Sequence, residues 1–148
     1  MNIRRLTGSD DLSGAIELLR RFFSEEGFDT AQEMIAAHTR QLAALETCGL
    51  FIGEDQGKTV GVATVSMEFG IEYGWWAEMG DLYLVPEYRG RGLSRRVVKS
   101  VEEFLKDRGC HGYQVTVTPF AGAQHGLARY YARLGFKSEG RLILRKRI

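Results

Sequence analysis

The 148-residue sequence predicts one α/β domain around a mixed sheet, and three observations carry that expectation. Apolar periodicity gives the order β-α-α-β-β-β-α-β-α-β-β, in which helices are interspersed with central hairpins. The stretch Val85-Pro86-Glu87-Tyr88-Arg89-Gly90-Arg91-Gly92-Leu93-Ser94 carries an apolar strand into a basic, glycine-rich turn that opens onto a helix. With 44% apolar and 26% charged residues, the chain suffices for one substantial core and is short for two.

Taken in order, residues 2–5 read as a first strand, and Ser9, Asp10 or Asp11 can cap a helix whose apolar positions Leu12, Ile16, Leu19 and Phe23 recur at helical spacing. A second helical pattern follows Asp29 or Thr30, uses Met34, Ile35, Leu42 and Leu45, and ends at Gly49. Residues 50–54 and 59–69 read as a hairpin across Asp55-Gln56-Gly57-Lys58. Residues 70–74 form a loop, and Trp75-Trp76 leads into a long strand over 77–85. The clearest helix spans 92–108, with Leu93, Val97, Val98, Val101, Phe104 and Leu105 on one face and Gly109 at its end. Residues 113–118 alternate as a strand, 119–122 break it, 125–134 make a short helix, and 136–139 with 142–147 close the domain as strands.

The glycine turn is suited to a pyrophosphate. Gly90 and Gly92 let the backbone turn its N–H groups inward, and the first turn of the following helix adds partial positive charge. The turn resembles the Gln/Arg-x-x-Gly-x-Gly/Ala signature of the GCN5-related N-acetyltransferases, with Arg89 first, Gly92 in the middle and Ser94 where Gly or Ala is usual. A second stretch, Tyr130-Tyr131-Ala132-Arg133-Leu134-Gly135-Phe136, resembles the same family's Tyr-x-x-x-Gly-Phe. Two motifs in family order and at family spacing are far more specific than a lone Gly-x-Gly.

The resemblance implies a fold of about four helices in which the strands over 77–85 and 113–118 splay apart, with acetyl-CoA lying in the cleft between them. It implies a cofactor cradle of Arg89, Gly90, Arg91, Gly92, Leu93, Ser94 and Arg95, strand-like pairing of Leu84 and Val85 with the pantetheine arm, and Gln124 where many members place an asparagine. It implies Tyr131 as the acid for the departing thiolate. An alkylamine titrates near pH 10.4, so a carboxylate, or a water chain ending on one, must take its proton, and Glu78 and Asp81 both match family positions. Which is the base and which the substrate anchor stays open at this stage.

The net charge of +1 hides a strong asymmetry. Residues 22–81 carry eleven acids against two bases, whereas 82–148 carry fourteen bases against five acids. Glu25, Glu26, Asp29 and Glu72 fall in the segments that set acceptor choice in the family, where carboxylates concentrate cations and reject anions. The same charges also suit an ordinary solvated surface. Trp75 and Trp76 can stack on sugar rings or pack in a core or dimer contact. Short matches at Met1-Asn2-Ile3-Arg4, the Pro-x-x-Arg-x-x-Gly stretch and residues 141–147 resemble 6'-acting aminoglycoside N-acetyltransferases. A polycationic amine, led by an aminoglycoside, is thus the expected acceptor, with protein lysine or N-terminal acetylation and a non-catalytic acyl-CoA sensor as alternatives.

Cys48 and Cys110 belong to no Cys-x-x-Cys or Cys/His cluster, so no metal is expected. Without an apolar membrane span or signal-like start, a cytoplasmic protein is expected. No nucleic-acid motif accompanies the bases, and a homodimer is compatible with the chain.

Overall fold

A computed structural model describes all 148 residues. They fall into two compact units, residues 1–115 and 116–148, each described by itself.

The first unit is a five-stranded sheet in the order β1-β2-β3-β4-β5, with β1 Asn2–Leu6, β2 Cys48–Asp55, β3 Lys58–Gly70, β4 Gly74–Leu84 and β5 Tyr113–Gln114. Neighbours pair antiparallel up to β4, and β5 joins β4 in parallel, so the sheet is mixed. Alternation along the strands sends Leu50, Ile52 and Val62 to one face and Phe51, Ala63 and Val65 to the other. Helices α1 (Ser13–Glu25) and α2 (Gln32–Ala44) cover the first face through Ile16, Leu19, Ile35 and Ala43. Helix α3 (Leu93–Asp107) covers the second through Val97, Val101, Phe104 and Leu105. Both faces therefore carry a helix-covered core, and Leu50, Val62, Ala63 and Val101 lose all contact with solvent.

The second unit contains α4 (Pro119–His125) and α5 (Leu127–Arg133). Residues 119–122, expected to be a break, instead start a helix. Pro119 lacks the N–H that a first turn cannot use, and the Thr118 hydroxyl accepts a hydrogen bond from the Ala121 N–H at 3.2 Å. Gly126, with φ of 58°, then ends α4 and starts α5, so the short helix expected over 125–134 runs as Leu127–Arg133.

Two further expectations are corrected. The strand expected over 113–118 pairs only at Tyr113 and Gln114. Residues 136–139 and 142–147 carry no strand: the apolar run Leu142, Ile143 and Leu144 has no ladder partner and stays 86%, 60% and 89% exposed. Alternation signals a strand only where another strand takes up its backbone groups.

Leu50→Ala, at the centre of the face under α1 and α2, should lower unfolding free energy by about 3 kcal/mol in urea titrations, the usual cost of an uncollapsed core cavity.

Candidate functional site

The site is organised by strand parity. Residues three apart in a regular strand point to opposite faces, so Glu78 and Asp81 should be separated by the sheet. They are not. The β3–β4 register shifts by one residue between Thr64↔Asp81 and Val65↔Met79, which leaves Gly80 as an extra residue in β4. Asp81 then pairs with Thr64 and Glu78 with Ser66, two residues apart on β3, so both carboxylates lie on the face that α1 and α2 cover. A Cβ at Gly80 would stand 3.2 Å from Thr64 Oγ1, tight enough to disturb the pair that holds Asp81.

Each carboxylate has a partner on that face. The Thr64 hydroxyl donates to Asp81 Oδ2 at 2.5 Å. Burial pushes the Asp81 carboxyl above the usual carboxylate range, and the Thr64 hydrogen bond opposes the shift. Gln114 Nε2 donates to Glu78 Oε2 at 3.4 Å, and Gln114 Oε1 accepts from the Trp76 indole at 3.2 Å. Tyr73 stacks on Trp76 with ring centroids 4.6 Å apart. Gly112 lies against that indole so closely that a Cβ would fall 2.5 Å from the ring. Trp75 instead faces the other way and meets Phe69 edge-on at 5.3 Å. Of the tryptophan pair, only Trp76 shares a face with the carboxylates.

The β4–β5 ladder has two rungs, Ala77↔Tyr113 and Glu78↔Gln114, and β4 continues past it to Leu84. This is the point at which the parallel pair parts. Val85 donates its N–H to Val60 O at 3.0 Å, so Leu84 turns its own polar groups to the opposite edge. There the Leu84 carbonyl accepts from Arg89 Nε at 2.8 Å. Val85 is thus committed to β3 through its N–H, and also accepts from the Tyr88 N–H through its carbonyl.

The glycine turn follows at once. Pro86–Tyr88 form a 3-10 turn, Gly90 and Gly92 take φ of 71° and 73°, and Gly92 is the residue from which α3 starts. Left-handed backbone at both positions explains why glycine stands there. Arg91 and Arg95 are exposed beside the turn, Arg91 with its guanidinium 5.6 Å from the Tyr88 ring. The Tyr88 hydroxyl donates to Asp55 in the β2–β3 turn. Arg89 is held differently: besides Leu84, its Nη2 lies 3.2 Å from Glu25 Oε2, and its guanidinium sits 5.2 Å from the Tyr83 ring. Tyr83 completes the group by donating its hydroxyl to Glu25 Oε1 at 2.7 Å. The Tyr83 hydrogen bond and then Arg89 hold the Glu25 carboxyl below its ordinary range, against the opposing pull of desolvation.

The other acids of the charge-rich half are spread out. Glu26 caps the C-terminus of α1, Asp29 lies exposed in the loop before α2, and Glu72 sits in the turn at the tip of the β3–β4 hairpin. In the second unit, Gln124 is exposed on α4, while Tyr131 is buried on α5 between Tyr130 and Phe136, each ring 5.2 Å away. Burial, with the neighbouring Tyr130, pushes the Tyr131 phenol up to about 12. Thr64, Tyr83 and Gln114 escaped sequence reasoning because each acts through a partner distant in sequence. Gly80 was legible, since an isolated glycine inside a strand pattern signals a bulge.

The model of the acetyltransferase (GNAT) family matches residues 12–136, and the chain belongs to that family. An uncharacterised N-acetyltransferase of Methanocaldococcus jannaschii is 29% identical over 144 residues, covering 93% of this chain, which spans 61% of that protein's length. A probable glucosamine 6-phosphate N-acetyltransferase of Oryza sativa is 28% identical over 146 residues, covering 95% of this chain and 84% of the relative. Among solved structures, the aminoglycoside N-acetyltransferase AAC(6')-Iy in complex with CoA superposes with a TM-score of 0.82 at 16% identity, over 99% of this chain and 93% of that one. That likeness is one of fold.

Two measurements check the electrostatics. An aspartate whose folded pKa is raised weakens the fold above the unfolded value of about 3.9, so Asp81→Asn should raise the melting temperature at pH 7 and lose that gain below about pH 3. Phenolate absorbance of the native protein should show one tyrosine ionising near pH 12, and Tyr131→Phe should remove that step.

Proposed function

We propose that this protein is an acetyl-CoA-dependent N-acetyltransferase whose acceptor is a small cationic amine, with an aminoglycoside as the leading candidate. The observation that carries the reading is the Gly80 bulge, which gathers Glu78 and Asp81 on one face of the strand that runs straight into the glycine turn.

The donor set of that turn suits the cofactor. Backbone N–H groups from Gly90 to Ser94, at the start of a 15-residue helix, suit a pyrophosphate, and Arg91 and Arg95 add charge-assisted bonds. The Leu84 edge of β4 suits an amide-bearing arm added like a strand. Bound there, acetyl-CoA supplies an activated acyl group as a thioester.

This chain's residues then divide the proton work. Asp81 takes the proton of the incoming ammonium, because a carboxylate of raised pKa is a stronger base than an exposed one. Glu78, held by Gln114, anchors the cationic acceptor beside it, and Trp76 offers an aromatic face to an aminosugar ring. Glu26, Asp29 and Glu72 add long-range attraction for cations. Tyr131, whose burial keeps its phenol protonated through neutral pH, serves as the acid for the departing thiolate. The carboxylate face also disfavours phosphorylated acceptors such as the one in the rice relative's name.

A screen of thiol release with acetyl-CoA tests the reading. Turnover with aminoglycosides exceeding that with lysine peptides is expected; turnover only with peptides would replace the acceptor, and none with any amine would leave an acyl-CoA-binding domain. Asp81→Asn should lower kcat by about 100-fold or more, whereas Glu78→Gln should act mainly through the amine KM. Gly92→Val should abolish acetyl-CoA binding, since valine strongly disfavours the positive φ that starts α3.

A further inference from the structure

Charge counting assigns Glu25 to the acceptor and the turn motif assigns Arg89 to the cofactor, but the two side chains are engaged with each other. The Arg89 guanidinium is used on three sides: Nε by the Leu84 carbonyl, Nη2 by the Glu25 carboxylate and one face by the Tyr83 ring. Glu25 is likewise held at both oxygens, Oε1 by the Tyr83 hydroxyl and Oε2 by Arg89, with Arg21 Nε 4.0 Å from Oε1. Engagement by two separate partners fixes each side chain in one orientation.

We infer that Glu25 is a positioning residue of the cofactor loop: through Arg89 it locks the turn that carries Gly90 and Gly92 to the end of β4 and to α1. On this assignment Glu25 is not an acceptor ligand, and the Arg89 side chain is not a phosphate ligand. The turn has a second strap one residue earlier, at Tyr88–Asp55, so its entry is held by two different elements immediately before the glycines of left-handed backbone. Removing the Glu25 charge releases the Arg89 fork, and the loop must then be ordered at the moment of binding. The inference rests on the acyl-CoA reading of the loop.

The test is CoA binding by calorimetry, without amine, so that acceptor identity does not enter. Glu25→Gln should weaken CoA about fivefold, and Arg89→Gln about as much. Arg89→Lys should fail to rescue, because an ammonium cannot span Leu84 and Glu25 together. The Glu25→Gln/Arg89→Gln double variant should be within about twofold of the weaker single variant, since the two act as one unit. Tyr83→Phe, which removes one anchor of Glu25 and preserves the aromatic packing, should weaken CoA about twofold and stands in if a charge variant melts early. Unchanged or tighter CoA binding by Glu25→Gln, with Arg89→Gln still weakened, would make Arg89 a direct phosphate ligand and overturn the assignment. A raised amine KM with unchanged CoA affinity would return Glu25 to the acceptor and overturn it too. If the unaltered protein binds no CoA, the acyl-CoA reading itself falls, a result distinct from wild-type affinity in Glu25→Gln.

Discussion

Everything at the site depends on where two strands stop pairing. A parallel ladder of only two rungs joins β4 to β5, and β4 continues beyond it. Backbone amides and carbonyls demand partners, so a strand that outruns its neighbour either meets water or takes a guest in its place. At Leu84 the chain supplies a partial guest of its own, the Arg89 guanidinium, while the antiparallel ladder to β3 holds the other edge rigid. The opening is thus built into a sheet that carries helices on both faces.

The two helix layers divide the labour. On one face α1 and α2 pack on β2 and β3, and the carboxylate row of β4 lies on that same face; on the other α3 packs against Phe51, Ala63 and Val65 and presents its N-terminus at the end of the same strand. Cation-attracting and anion-attracting surfaces therefore sit on opposite sides of one strand, joined by a turn that Tyr88 and Arg89 pin to different elements. The cost is two ionic side chains, Glu25 and Arg89, withdrawn from the surface chemistry their charges suggest.

Much of this was legible in the sequence, and the failures share a cause. The turn and α3 are local: positive-φ glycines, an apolar stripe and a C-terminal glycine all lie within twenty consecutive residues or so, and they fold as read. Pro119 reads as a stop in the sequence, but the Thr118 cap makes it a start. The apolar run Leu142 to Leu144 reads as a strand, but pairing is decided by a distant partner. Glu25 shows the limit most clearly, because counting charge reports sign and segment, whereas its role is set by Tyr83 and Arg89, some sixty residues away. Trp75 and Trp76, adjacent in sequence, end on opposite faces for the reason that makes strands useful.

Gly80 makes the arrangement a matter of counting as well as identity. Because the two carboxylates share a face only through one surplus residue, deleting a single codon anywhere between Glu78 and Asp81 would turn one of them through the sheet while leaving every acidic side chain in the gene. Divergence in this strand can therefore proceed by frame-preserving indels that bring two carboxylates onto one face or part them in one step, a route that comparison by residue identity alone would pass over.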